Sequence, residues 1–235
     1  VSAGDIPSTG PSTTAAALPA VELARMLGNA APFASDDATL PVLNAVRLRV
    51  AGESLIVDAT DRYALLRETH PLAGPADPFD VVVPLPAIRQ IRQLLAAARR
   101  QDGETVAELA VVGEATVRRC DVDHTVPRLR VAAGTMAVEA AGQPGDYPNL
   151  DGLIDREDAH AAEHGPGRFD VLLAPRLLAR LAKLRTAEDG GNPRARLTQS
   201  TGQPAIPGYA RMRPVHASLG DRVRVLVMPI RQEPA

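Results

Sequence analysis

An α+β fold is what this sequence predicts, and three observations carry the prediction. Amphipathic helical stretches begin near residues 19, 86 and 175, and each is followed by short segments of strand character. Between residues 46 and 57, Val46, Leu48 and Val50 alternate with Arg47 and Arg49, the period of two of a half-buried strand. Ala51-Gly52-Glu53-Ser54 then turns the chain into a return strand at Leu55-Ile56-Val57. Hydrophobic residues make up 45% of the 235, enough to bury a core. Aromatics are only 3% and Trp is absent, so that core has to be Leu, Val, Ile and Ala.

Residues 1–16 are small, polar and rich in Pro and Gly, and read as a mobile tail or as a mis-set start. Leu18 to Ala31 reads as a helix with Pro19 in its first turn, an apolar stripe of Leu23, Met26, Leu27 and Ala30, and an opposite stripe of Glu22, Arg25 and Asn29. The hairpin follows. It ends in a polar corner, Ala59 to Leu65, where the Thr60 hydroxyl and the Asp61 carboxylate can hold local backbone. Thr69 to Asp77 is a loop, and Phe79 to Val83 a short strand.

The second helix opens near Pro86, with Ile88, Ile91, Leu95 and Ala98 on one face and Arg89, Arg92 and Arg99 on a neighbouring one; Asp102-Gly103 stops it. Val106 to Met136 holds three or four strands, with turns expected at Gly113-Glu114 and Gly134. Residues 155–167 are charged, end in Gly-Pro-Gly, and read as a linker with room for one helical turn. Phe169 to Leu173 is a strand. The third helix carries Leu177, Leu181 and Leu184 on one stripe and Arg176, Arg180 and Lys183 on another. Strands are expected at Ala195–Gln199, Met212–Ser218 and Arg222–Met228.

Two segments carry a resemblance. Leu40-Pro41-Val42-Leu43, Gly52-Glu53-Ser54-Leu55 and Ala59-Thr60-Asp61-Arg62-Tyr63-Ala64-Leu65 resemble the middle domain of the bacterial DNA sliding clamp, the β subunit of DNA polymerase III. Val227-Met228-Pro229-Ile230-Arg231 is similar to the C-terminal motif of that family, and Gly145-Asp146-Tyr147-Pro148 to the segment that closes a clamp domain. The resemblance implies a DNA-clamp fold built of βαβββ half-repeats, with helices on one face of curved antiparallel sheets. On that division 17–154 is one complete domain, 155–167 a linker and 168–235 half of a further domain. The chain is then a shortened version of the family. Its Arg-, Ala- and Pro-rich composition, with Lys183 the one lysine, fits a GC-rich actinobacterium or its phage.

In the family the two segments meet in a pocket for short peptides of polymerases and other partners. Carried over by position, the resemblance places Leu43, Thr60, Asp61, Arg62, Tyr63, Leu65, Ile154, Leu226, Met228, Pro229, Ile230 and Arg231 at that pocket; the family often has Arg where Ala64 stands. The bland alternative makes Leu43, Leu65, Leu226 and Met228 plain core. The resemblance also implies that Arg25, Arg89, Arg92, Arg99, Arg176, Arg180 and Lys183 face double-stranded DNA without reading its sequence. Otherwise they are the solvated faces of amphipathic helices. The partners implied are DNA, a DNA polymerase and other proteins with clamp-binding peptides, a clamp loader and further copies of the chain. The alternative function is a non-encircling module that recruits or sequesters replication proteins.

Other classes find little support. No Walker A, GxGxxG or GxSxG pattern appears and the acidic residues are dispersed, so no enzyme and no cofactor is expected. His160 and His164 lie four apart, but in HxxEH order and within the expected linker, so no metal site is assigned. Cys120 reads as a half-buried strand residue and excludes an internal disulfide. No apolar run approaches the ~20 residues of a membrane helix, and no secretory signal is visible, which points to the cytoplasm. The net charge of −2 means that any nucleic-acid surface must gather its arginines on one side.

Overall fold

The computed structural model describes residues 16–164, 173, 175–186, 195–198 and 214–228. The tail expected over 1–16 lies, apart from Ala16, outside the described residues, as does the strand expected at Phe169–Leu173 apart from Leu173.

The chain opens with β1 (Ala16–Pro19), α1 (Ala20–Ala30), β2 (Ala45–Ala51), β3 (Ser54–Thr60) and β4 (Ala64–Pro71). The order then recurs in β5 (Phe79–Pro84), α2 (Leu85–Gln101), β6 (Val106–Arg119), β7 (Val122–Ala133) and β8 (Met136–Ala141). After α3 (Leu150–His164) comes a third unit: α4 (Pro175–Leu181), β9 (Arg196–Thr198), β10 (Val215–Leu219) and β11 (Val223–Val227). The fold is α+β and antiparallel throughout, as expected.

The strands form two sheets, a four-stranded one in the order β1-β6-β7-β8 and a seven-stranded one in the order β5-β2-β3-β4-β11-β10-β9. Each opening strand thus sits in the sheet of the other unit. The third unit joins the first by β4 pairing with β11, Leu65 opposite Leu226 and Arg67 opposite Arg224. The sheet therefore runs continuously across the expected boundary between 17–154 and 168–235.

Helices α1 and α2 form because their apolar residues recur at three and four. Leu23, Met26, Leu27 and Ala30 are buried on α1, and Ile88, Ile91, Leu95 and Ala98 on α2. Pro86 sits in the first turn of α2, where its missing N–H costs nothing, and Arg99 and Arg100 sit against the negative end of the helix dipole. Both helices pack into one core with the inward residues of both sheets, among them Leu48, Val57, Leu66, Leu109 and Val225. Leu177, Leu181 and Leu184 bring α4 to the same side.

Four local expectations are corrected. The first strand, β1, has no sequence signal of its own: four residues leave no period, and pairing with β6 (Leu18 opposite Ala107) creates it. Gly113 does not turn the chain. It is a bulge within β6, with φ +103°, where the register against β7 shifts. The turn lies at Cys120-Asp121, both at positive φ (48° and 61°) between paired Arg119 and Val122, the conformation a two-residue hairpin loop needs. Cys120 is accordingly exposed rather than half-buried. Finally, the expected linker is mostly helix. The Asn149 side chain accepts the Gly152 N–H at 3.0 Å and caps α3, whose sparse apolar stripe hid it from periodicity. Among the described residues no helix is long and apolar enough to cross a membrane.

Candidate functional site

The corner between β3 and β4 is built by two short polar side chains. The Thr60 hydroxyl donates to the Ala64 carbonyl at 2.9 Å and accepts the Arg62 N–H at 3.1 Å. One Asp61 oxygen accepts the N–H groups of Tyr63 and Ala64 at 2.9 and 2.8 Å. These bonds hold Arg62 at φ +77° and turn Arg62 and Tyr63 outward, Tyr63 at 54% exposure. The second Asp61 oxygen receives Arg180 of α4 at 2.5 Å.

The C-terminal segment closes on this corner. Met228 donates its N–H to the Tyr63 carbonyl at 2.8 Å, extending the β4–β11 ladder. Alternation then divides the side chains: Ala64 and Leu66 face the main core, whereas Leu65 and Leu226 face the other side of the sheet. There Leu150 and Ile154 of α3 cover them, with Tyr147 and Leu153 packed against the group. Each buried aliphatic side chain of that group contributes roughly 1.5–3 kcal/mol. The structure thus brings Thr60, Asp61, Arg62, Tyr63, Leu65, Ile154, Leu226 and Met228 together around one seam. Leu43 is buried in the turn before β2 and is not part of this cluster. Pro229, Ile230 and Arg231 lie outside the described residues.

Sequence reasoning missed Tyr147, Leu150 and Leu153; the visible signal was the apolar pair Leu150/Ile154, four apart directly after a capping Asn149. Beside the seam a pocket of about 230 Å³ opens between α3 and β9–β11, lined by Ile154, Asp158, His216, Ser218, Arg224 and Leu226 among others. Burial pushes the His216 imidazole below its usual range, against the upward pull of Glu157.

Ion pairs fix α3 over the seam. Arg49 binds Asp151 through two hydrogen bonds of 2.9 and 2.8 Å. Arg67 does the same to the fully buried Asp58, at 2.7 and 2.8 Å, and also meets Asp151 at 2.6 Å. The hydrogen bonds from Arg49 and the charge of Arg67 hold the Asp151 carboxyl below the ordinary range. Arg47 pairs with Asp80 and lies over the Tyr147 ring. Burial, then the charge of Asp58, push the Tyr147 phenol far above its usual range, so it stays protonated and donates to the Asp58 carbonyl at 3.4 Å.

The basic residues divide into two groups. Arg89, Arg92 and Arg99 are exposed on α2 with Arg100 beside them, and form no ion pair among the described residues; the Arg92 guanidinium lies against Gly28 of α1. Arg176 and Lys183 are exposed at α4. Arg25 and Arg180 differ from expectation, because both turn inward. Arg25 bonds Glu22 at 2.8 Å, the buried Glu68 and the Arg185 carbonyl. Asn29 joins it on Glu68 at 2.9 Å. Burial pushes the Glu68 carboxyl up, with Arg25 pulling against it. Arg180 holds Asp61 and lies over the Phe33 ring. These two guanidiniums neutralise carboxylates of the protein itself. His160 and His164 stack at 4.2 Å on α3, and among the described residues no group of three or more metal-ligating side chains forms.

No family model matches this chain, and no curated protein matches it. Solved structures do. The DNA polymerase sliding clamp of Bacillus subtilis superposes with a TM-score of 0.67 at 14% identity, over 98% of this chain and 67% of that one. The DNA polymerase III β chain of Streptococcus pneumoniae gives 0.63 at 16%, over 97% and 67%. The sliding clamp of Pseudomonas aeruginosa, in a structure bound to griselimycin, gives 0.65 at 14%, over 97% and 68%. The resemblance read from the corner and the C-terminal motif agrees with this superposition, and the chain has the fold of the bacterial sliding clamps.

Proposed function

We propose that this chain is a clamp-like tether without catalytic activity. It holds a polymerase or another replication or repair protein near double-stranded DNA by gripping a short peptide of that partner. The observation that supports this most is the seam itself: the ladder from Met228 to Tyr63 sets an exposed tyrosine and an adaptable methionine beside the apolar group Leu65, Leu226, Leu150 and Ile154. Apolar peptide side chains can pack on the exposed Tyr63 and the half-buried Met228 at the margin of that buried group, Met adjusts to varied partners, and the polar corner offers a rim. On this reading 17–154 acts as a complete clamp-like unit and 168–235 supplies the other wall of the site.

Fluorescence anisotropy with a labelled peptide of the clamp-binding type tests the site. Tyr63→Ala or Met228→Ala is expected to weaken binding about tenfold, near 1.4 kcal/mol. Equal affinity of both variants and parent would exclude the seam as the site.

DNA is assigned to the exposed arginines of α2, with Arg176 and Lys183, on the helical side of the sheet. Converting Arg89 and Arg92 to Ala should lower affinity for duplex DNA. It should also flatten the salt dependence by about 0.9 logarithmic units for each phosphate that is no longer neutralised. The inward turn of Arg25 and Arg180 favours a second reading, a module that binds partner peptides without encircling DNA. Release of the chain from closed circular DNA at moderate salt, with peptide binding intact, would select it.

A further inference from the structure

The Thr60-Asp61 corner is joined to the third unit by one side chain. Arg180 leaves α4 and donates from Nη1 to Asp61 Oδ2 at 2.5 Å, with its guanidinium carbon 5.9 Å from the centroid of the Phe33 ring. On the same stripe of α4, Arg176 and Lys183 are exposed, whereas the side chains of Arg180 and Asp61 keep only 22% and 13% of their surface in water. A pair so far withdrawn from solvent is screened less than a surface one. Among the described residues no other basic side chain pairs with Asp61.

The two oxygens of Asp61 have separate duties. Oδ1 accepts the N–H groups of Tyr63 and Ala64 at 2.9 and 2.8 Å, and Oδ2 takes Arg180. The torsion that swings a carboxylate has broad minima, so a carboxylate bonded through one oxygen alone still rocks and exchanges its oxygens. A guanidinium on the second oxygen fixes the plane. That order passes on, because the Tyr63 carbonyl accepts the Met228 N–H at 2.8 Å. Arg180 is thus joined to the Met228 backbone through Asp61 and Tyr63. The corner needs the hold: Arg62 sits at φ +77°, the left-handed region that residues with a Cβ rarely adopt. Helix α4 itself is anchored without Arg180. Leu177, Leu181 and Leu184 are buried, and Asn29 grips the Arg185 backbone from both sides, accepting its N–H at 2.9 Å and donating to its carbonyl at 2.8 Å.

We propose that Arg180 is a positioning residue of the peptide site. It locks the Asp61 carboxylate, and through it the placement of Tyr63 and Met228, without meeting the peptide. Its effect on a peptide rests on the tether reading above; its lock on the corner does not.

Hydrogen exchange of the Tyr63 and Ala64 amides, read by NMR without any peptide, tests the lock. Arg180→Ala should speed both about fivefold, the scale of one half-buried ion pair, and leave the amides of α2 unchanged. Anisotropy with the labelled clamp-type peptide should show affinity falling by the same factor. Arg180→Lys, which keeps the charge, should recover part of both losses. In an Asp61→Asn background Arg180→Ala should add nothing, since the group through which it acts is gone. A residue that served only the stability of α4 would lower the melting temperature with no such dependence on Asp61. Where Arg180→Ala melts early, the Lys variant and the double variant decide. Parent-like exchange at Tyr63 and Ala64 in Arg180→Ala overturns the lock, and so does an additive double variant. Faster exchange with full peptide affinity overturns the role in binding. A parent that binds no clamp-type peptide overturns the tether reading alone, and exchange at the corner then still decides what Arg180 does.

Discussion

The two sides of the seven-stranded sheet are held by different forces. On the inner side α1, α2 and α4 bury aliphatic side chains against both sheets. On the outer side one polar helix, α3, is fastened by Leu150 and Ile154 and by carboxylates that meet arginines of the strands. Apart from the buried group of Arg25, Asn29 and Glu68, the inner side is apolar area removed from water and depends weakly on salt. The outer one is charge and geometry, and can be weakened by a proton. The region nearest the candidate peptide site is thus the one whose cover can be loosened while the core stays intact.

Three changes bear on that contrast, in falling order of effect. Ile91→Ala empties part of the inner core and should cost about 2–5 kcal/mol in urea unfolding, lowering the midpoint of the whole molecule. A much smaller cost would mean that the inner side does not dominate the stability. Asp151→Ala releases Arg49 while leaving Arg67 on Asp58. Because Asp151 is partly exposed, the cost should be about 1 kcal/mol or less, but hydrogen exchange should rise selectively along α3. Acid should mimic this change. The Asp151 carboxyl titrates lower in the folded than in the unfolded chain, so its contribution is complete above the ordinary carboxylate pKa of about 4 and fades as pH falls through the lower folded value. Early exchange of α3 below about pH 4, absent in Asp151→Ala, would confirm the sign. Asp158→Asn should matter least. Its pair with Arg224 is exposed on both partners and is expected to be worth about 0–1 kcal/mol, so a larger effect would mean that α3 is held elsewhere than at its start.

Much of this was legible in the chain. The helices of 20–30 and 85–101, the hairpin and the Thr60-Asp61 corner follow from local period and local hydrogen bonding, so single-sequence reasoning reaches them. What escaped depends on partners far away in sequence. Strand β1 exists because β6 receives it. Residues 155–164 look like a linker until Arg49, Arg67 and Arg224 of distant strands give the carboxylates of α3 something to bind. Arg25 and Arg180 look like surface cations until Glu68 and Asp61 appear beside them. The loop at Cys120-Asp121 lacks the glycine that would have announced it, while Gly113 announced a turn that is a bulge. The seam could be named only by resemblance, since periodicity marks Leu65 and Leu226 as buried without saying on which side.

The exchange of opening strands has a kinetic corollary. Residue 16 pairs with residue 109, and residue 64 with residue 227, so each sheet is completed by a segment made much later in the chain. Ordering chain across such separations has an entropic cost before the contacts return it, which slows folding. It also makes the units interdependent: neither of the first two can finish its sheet before the other has emerged. Folding is thus expected to be late and concerted rather than sequential along the chain.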